Sequence, residues 1–369
     1  MTRLVYLAPV PWNSFAQRPH KFVECFHKQN SGQIMWIDPY PTRFPSISDF
    51  LRIKTPAMHS SSTIQPPPWL EVVRLFSLPI EPLPRAGLVN GFLWRPTINK
   101  IKNFIDGHKT VLAIGKPSSL ALTLLERFSF SVSLYDSMDD FPSFYNGLSH
   151  FSMARRERQI VKKVDIVWAS SMAINCRWSL YRNDVKLVRN GLDPSPLQLP
   201  VIPKGPSDRR IFGYVGTIAS WFDWDWVVAL AHARSSDVIR LIGPVFQVPP
   251  SALPTNVELL PPCAHETAIK AMRDFDVGLI PFQINKLTES VDPIKYYEYR
   301  ALGLPVISTA FGEMNYRKEE SGVFISANIE DIASLAAAAV HLGNGMDDVQ
   351  SFIQDNSWEV RFDTTKLFL

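Results

Sequence analysis

Three carboxylates, Asp136, Asp139 and Asp140, follow an apolar run at 132–135. A carboxylate at a strand end can take a proton from a hydroxyl, so the three are candidate general bases, Asp139 first and Asp140 second. They would serve equally as caps for the next helix. Lys295 follows Pro293 where a helix should begin, and Glu298 lies three residues on, on the same helix face. Helix N-terminal amides and a lysine together bind an anion without a metal. The alternative is an ordinary i,i+3 ion pair. Gly216 closes another apolar run, and lacking a Cβ it lets the backbone approach a phosphate; Thr217 adds a hydroxyl. Arg18 and His20 flank Pro19, which suits the first turn of a helix. Arg18 is a candidate for binding a phosphate, or it simply flanks the helix. The eight histidines form no HxxxH pair and the three cysteines no CxxC pair, so neither a metal centre nor a disulfide framework is expected.

Such residues need strand ends and helix starts to hold them. Apolar runs predict strands at 4–8, 33–37, 111–114, 132–135, 164–169 and 185–188. Helical patterns alternate with them: one running from Pro19 through Phe26, one over 88–104 kinked at Pro96, and others over 118–128 and 155–163. Residues 39–68 hold seven prolines and read as loop. Residues 192–208, with five prolines, read as a linker. A second alternation follows, with strands at 211–215, 238–242, 257–260, 277–280 and 305–308 and helices at 225–234, 268–275, 295–301 and 329–342. The last segment, 347–369, reads as a final helix or two around Trp358. This pattern predicts an α/β fold of two doubly wound domains, with ligands at the C-terminal ends of parallel strands.

The 369 residues are 46% hydrophobic and 20% charged, enough for two domains with real cores and unlike a disordered chain. No apolar run reaches the roughly 18 residues needed to span a bilayer. The apolar start holds Pro9 and Pro11 and reads as a buried strand rather than a secretion signal. A reducing cytosol fits the scattered cysteines. The net charge of +3 hides a split: +11 through Arg189 and −8 from Asn190 onward. In the basic half, Arg74, Arg85, Arg95, Lys100 and Lys102 interleave with Leu75, Phe76, Leu83, Leu88, Phe92, Leu93 and Trp94. Arg155, Arg156, Arg158, Lys162 and Lys163 form a second cluster. Basic amphipathic stretches suit an anionic membrane surface. No nucleic-acid motif accompanies them, so nucleic acid is not the expected partner. Solvated helix faces are the plainer alternative.

Several segments together resemble one family. Tyr214-Val215-Gly216-Thr217-Ile218, with Trp221 and Asp223, resembles the opening of the donor domain of a GT-B glycosyltransferase. Asp274 to Phe282 resembles its next landmark. Asp292-Pro293-Ile294-Lys295-Tyr296-Tyr297-Glu298-Tyr299, continuing through Ala301-Leu302-Gly303-Leu304-Pro305, is similar to the nucleotide-sugar signature of bacterial polysaccharide glycosyltransferases. Gln17-Arg18-Pro19-His20, Tyr135 to Phe141, and Val164 to Ser171 through Asn190-Gly191-Leu192-Asp193 resemble the acceptor domain. Trp358 resembles part of a helix crossing back to it. Within that class the chain looks most like family 4-like enzymes related to the xanthan-type and teichuronic-acid-type glucuronosyltransferases.

The resemblance implies a GT-B fold, two Rossmann-like domains facing a central cleft. Residues 1–191 would be the acceptor-binding, membrane-facing domain, 192–346 the nucleotide-sugar domain, and 347–369 the crossing helix. It implies a donor site of Gly216, Thr217, Asp292, Lys295, Tyr296 and Glu298, with Glu289 nearby. Lys295 would meet the diphosphate and Glu298 the ribose hydroxyls. Arg18 and His20 would border the cleft. The base would come from Asp139, Asp140 or Asp136. The expected substrates are a nucleotide sugar, a UDP-sugar with glucuronate as a candidate, and a lipid-linked glycan of exopolysaccharide, capsule or related cell-envelope assembly. The expected place is the cytoplasmic face of the membrane, with no metal or other cofactor. Two departures stand out. Retaining relatives pair the residue matching Glu298 with an acid eight positions earlier, where this chain has Ser290. They also carry an Arg and a Lys after the glycine loop, where 217–223 has no cation. A nucleotide-sugar epimerase and a non-catalytic nucleotide- or glycan-binding protein are the alternatives.

Overall fold

The computed structural model describes residues 1–14, 17–44, 65–197, 209–342 and 349–363. Most of the expected 39–68 loop and 192–208 linker lies outside them. The chain divides into two compact units, Met1–Val188 and Arg189–Thr364.

In the first unit the strands are β1 (Arg3–Leu7), β2 (Ile34–Ile37), β3 (Leu70–Val73), β4 (Thr110–Ile114), β5 (Val132–Ser137), β6 (Ile166–Ala169) and β7 (Lys186–Leu187). Among the described residues they form one parallel sheet in the order 3-2-1-4-5-6-7. The chain winds outward one way from β1 and then the other way from β4, so the sheet is doubly wound. Strands covered on both faces read as unbroken apolar runs, as Leu4 to Leu7 does. Tyr6 points to the face of helix α1 (Arg18–Asn30), where it packs on Phe22 and Trp36. Val5 and Leu7 join the opposite cluster with Leu112, Ile114, Tyr135 and Trp178. Burying each such large side chain contributes about 1.5–3 kcal/mol.

The expected kink near Pro96 is a full break between α2 (Ala86–Leu93) and α3 (Arg95–Ile105) at Trp94. A continuous helix would drive the Pro96 ring into the carbonyl four residues back, whereas the first turn of a new helix accepts it. The unit also holds α4 (Ser119–Arg127), α5 (Gly147–Lys163) and α6 (Met172–Ser179). The Ser118 and Ser171 hydroxyls cap α4 and α6 by accepting from the Ala121 and Ile174 amides. Sequence periodicity did not reveal β3 or α6.

The second unit contains β8 (Ile211–Val215), β9 (Val238–Ile242), β10 (Val257–Leu260), β11 (Val277–Ile280), β12 (Val306–Thr309) and β13 (Val323–Ser326). Their parallel order, 10-9-8-11-12-13, repeats the winding of the first sheet. Its helices are α7 (Trp224–Ala233), α8 (His265–Arg273), α9 (Ile294–Ala301), α10 (Ile332–Leu342), α11 (Val349–Asp355) and α12 (Trp358–Asp363). Paired glycines make room on this sheet. Gly213 in β8 lies beside Gly278 in β11. A Cβ on the first would meet the Phe275 ring at 2.2 Å, and one on the second the Tyr299 ring at 2.5 Å. The two aromatics therefore press α8 and α9 close to the strands.

The 347–369 segment was expected to cross back to the first domain. Its described part belongs to the second unit, where Trp358 N–H donates to the Leu192 carbonyl and Arg361 Nε to the Asn190 carbonyl. Residues 364–369 lie outside the described ones.

Candidate functional site

The two groups of candidate residues lie in different units. In the first unit β5 delivers the acidic cluster to its C-terminal end. Asp136 is buried, and its carboxylate accepts from Arg18 Nε at 2.9 Å and from a terminal guanidinium nitrogen at 2.8 Å. The other terminal nitrogen of Arg18 donates to the Val188 carbonyl at 2.8 Å. This bidentate pair fastens the start of α1 to β5 and to the residue after β7. Asp136 was expected among the bases and Arg18 at the acceptor; in the structure both are buried and paired with each other. His20 is buried between Trp12 and Trp36. Its Nδ1 accepts from the Gln17 amide at 3.3 Å, so its Nε2–H donates to the Trp12 carbonyl at 3.1 Å. Burial lowers its pKa and keeps the ring neutral. It therefore holds the loop before α1 in shape.

Asp140 accepts from Arg177 on α6 and from the Ser143 hydroxyl. Arg177 also reaches Glu157 on α5 at 3.3 Å, and Glu157 accepts from the Tyr135 hydroxyl at 2.6 Å. Burial pushes Glu157 up to about 7, with the Arg177 charge opposing. Asp139 stands apart. It is half-buried and makes no hydrogen bond or ion pair with a described residue. The protein around its carboxyl pushes its pKa up to about 7; Arg18 pulls it down, and Asp136 and Asp140 raise it further. A carboxyl held near neutral pKa and without such a bond can exchange a proton with a hydroxyl.

In the second unit Gly216 and Thr217 follow β8, at the point where the winding reverses. The backbones of the loops after β8 and β9 touch there: a Cβ on Gly243 would lie 2.0 Å from the Gly216 carbonyl oxygen. Tyr214 donates its hydroxyl to the Thr217 carbonyl at 3.0 Å, which shapes the turn. Asp223 serves as the cap of α7, accepting from the Trp226 amide at 3.0 Å.

Pro293 precedes the first turn of α9, as the sequence predicts. Lys295 Nζ donates to Glu298 at 2.6 Å, so the i,i+3 pair is formed. Lys295 is half-buried and Glu298 buried. Asp292 and Tyr296, expected at the donor, are buried and occupied. Asp292 accepts from Arg317 at 2.8 Å, from the Tyr297 hydroxyl at 2.8 Å and from the Asn190 amide at 2.7 Å. Tyr296 donates to Glu320, and the Arg317 guanidinium lies 3.8 Å from its ring centroid. These bonds tie the start of α9 to the 3-10 turn Gly312–Arg317 and to Asn190. Glu289 is exposed at the end of a loop in which the Asn285 side chain accepts from the Leu287 amide at 2.9 Å and the Thr288 amide at 3.2 Å. Ser290, at the position of the missing acid, is buried.

Asp136 at the end of β5, with Asp139 and Asp140 just after it, thus meets Arg18 at the start of α1, and Gly216, Lys295 and Glu298 lie at the C-terminal edge of the second sheet. Sequence reasoning missed Arg177, Glu157, Gly243 and Arg317, each defined by a partner distant in the chain. Among the described residues no group of three or more His, Cys, Asp or Glu comes together as a metal site. No helix there is long and apolar enough to cross a membrane.

No family model matches the chain, and no curated protein does. Solved structures do resemble it. A UDP-forming α,α-trehalose-phosphate synthase from Burkholderia vietnamiensis superposes with a TM-score of 0.63 at 12% identity, covering 99% of this chain and 96% of its own. A glycosyltransferase from Rickettsia africae gives 0.62 at 13%, covering 100% and 97%. AviGT4, a glycosyltransferase of avilamycin A biosynthesis, gives 0.59 at 11%, covering 100% and 96%. At such identities the likeness concerns architecture: the chain has the two-unit α/β fold of these enzymes, the GT-B fold.

Proposed function

We propose that the chain is a glycosyltransferase that moves a sugar from a nucleotide sugar to a lipid-linked glycan without a metal or other cofactor. The donor would be a UDP-sugar, with glucuronate as the candidate sugar. The setting would be exopolysaccharide, capsule or related cell-envelope assembly at the cytoplasmic face of the membrane. Asp139 carries this reading: a carboxyl without a bonding partner among the described residues, held near neutral pKa just after the end of a parallel strand. The GT-B fold and the UDP-forming reaction in the name of one structural neighbour support the choice of donor.

In the proposed reaction the acceptor hydroxyl attacks the anomeric carbon while Asp139 takes its proton. The bond from that carbon to the diphosphate oxygen breaks, and the electron pair leaves with the nucleoside diphosphate. Lys295 and the first amides of α9 would meet the developing charge. For this the Lys295 ammonium must exchange Glu298 for phosphate, which frees Glu298 for the ribose hydroxyls. One displacement assisted by a base inverts the anomeric carbon. Calorimetry with UDP and turnover of UDP-sugars by the wild type, Asp139→Asn and Lys295→Ala test the scheme. Loss of turnover with UDP binding retained in Asp139→Asn, and weakened UDP binding in Lys295→Ala, are expected. Turnover that survives both changes removes the site assignment, and a wild type that binds no nucleoside diphosphate removes the enzyme reading.

A further inference from the structure

Helix α2 is inverted in character: Leu88 is 74% and Phe92 64% exposed, while Ala86 and Asn90 are its buried residues. Phe76, in the segment leading to it, is also exposed. A second apolar group, Phe144, Leu148 and Phe151, lies exposed on the 3-10 turn Phe141–Phe144 and the first turns of α5.

Residues beside both segments bond to the lining of one crevice. Tyr40, Thr42, Lys116 and Ser118 line that crevice at the C-terminal ends of β1, β2 and β4. On one side Glu81, from the stretch before α2, accepts from the Tyr40 hydroxyl and from the Ser119 amide. On the other, Thr42 meets the Tyr145 hydroxyl at 3.3 Å, between Phe144 and Leu148. Arg156 of α5 closes the ring by donating to the Glu81 carbonyl at 2.8 Å and pairing with its carboxylate. Arg156 was expected in a surface basic cluster; it is buried instead, and it joins the two apolar segments.

Charge selects the occupant. Glu81, itself buried, is the only acid between Arg74 and Lys102, and there is none between Phe141 and Arg156. Arg85, Arg95, Arg155 and Arg158 are exposed and form no ion pair with a described residue. Arg95 sits 4.5 Å from the Phe92 ring centroid, and Arg155 follows Phe151 by one helical turn. A second copy of this face would oppose cations to cations, whereas an anionic leaflet offers acyl chains to the apolar residues and phosphates to the arginines.

We propose that α2 and the start of α5 form a two-sided rim that inserts into an anionic monolayer and opens the crevice toward the lipid headgroups. An acceptor whose tail stays in the leaflet then presents its polar head beside the rim. That last step rests on the glycosyl-transfer reading; the insertion does not.

The test is sedimentation with phosphatidylglycerol-containing and pure phosphatidylcholine vesicles, together with insertion into monolayers of the same lipids. The variants are Leu88→Glu/Phe92→Glu, the milder Leu88→Ser/Phe92→Ser, Arg85→Glu/Arg155→Glu, and the control Leu180→Ser, whose side chain is exposed elsewhere in the same unit. The arginine pair should weaken binding to anionic vesicles at least about 25-fold, at about fivefold for each lost cation. The apolar pairs should weaken it similarly and also lower the monolayer pressure that excludes the protein. Leu180→Ser should match the wild type, and wild-type binding should fall with salt. Unchanged binding in both apolar pairs overturns the proposal, as does equal wild-type binding to neutral and anionic vesicles. A wild-type dimer in ultracentrifugation that Leu88→Ser/Phe92→Ser dissociates also overturns it, by assigning the face to a second copy. UDP calorimetry on each variant separates the two readings: vesicle binding without UDP binding keeps the rim and removes the transferase.

Discussion

Three acids within five residues illustrate how partners divide labour. Asp136 is held by Arg18, 118 residues away, and Asp140 by Arg177, 37 residues away. Asp139 is left to titrate. Asp139→Asn should lower kcat by about 10²–10⁴-fold, the usual worth of a general base. Wild-type kcat/KM should rise with pH through about 7 as Asp139 ionises. Stability should move the opposite way. A carboxyl whose folded pKa is raised binds more protons folded than unfolded, so its contribution is full below about 4 and fades as pH rises through about 7. Asp139→Asn should therefore melt above the wild type at pH 8, with the gap closing toward pH 5, as calorimetric scans at both pH values would show. Equal melting temperatures at pH 8 would mean that folding does not raise the pKa of this carboxyl. The sequence displayed the cluster and even favoured Asp139. It gave no structural reason for that order, because the distinction lies in Arg18 and Arg177, residues that nothing local ties to β5.

At the scale of elements, the placing of α9 depends on one buried arginine. Arg317, on the 3-10 turn Gly312–Arg317, joins Asp292 and Tyr297 and covers Tyr296. Arg317→Met would leave the buried Asp292 carboxylate without its cation, at a cost of about 3–5 kcal/mol in urea unfolding. Adding Asp292→Asn should recover part of that loss, because the amide carries no stranded charge. A second hinge of the site is Gly243. Gly243→Ala has to displace the Gly216 backbone, so both the urea midpoint and UDP affinity should fall, whereas Gly91→Ala, with open space around it, should change neither. Strands such as β1, β4 and β11 were legible as apolar runs because both faces of a parallel sheet are covered. β3 was not: it follows a proline run, sits at the sheet edge and carries the exposed Glu71. Short α6 was hidden for a similar reason, since Ile174 and Trp178 are its only buried residues.

Across the whole molecule, the charge split of the sequence poses a problem that the second unit answers locally. The acidic half is the one proposed to bind a diphosphate, and its candidate cation is already paired with Glu298. Binding must therefore break an ion pair before it makes one, so UDP affinity should depend only weakly on salt, in contrast to vesicle binding by the arginine-rich first unit. Each unit also has a hydrophobic core of its own. A ligand confined to one unit stabilises that unit by mass action, about 2.7 kcal/mol at a hundred times its Kd. Hydrogen exchange of the intact protein reads this directly. UDP should slow exchange at the Gly216–Ile218 turn, at the loop after β9 and in the first turn of α9, and leave the amides of 136–144 unchanged. Anionic vesicles should do the reverse, protecting α2 and the start of α5 while the second unit exchanges as before. If UDP instead protects the 136–144 loop and leaves α9 exposed, the donor belongs to the basic unit, and the charge split would then follow the ligands in the simple order that the local geometry argues against.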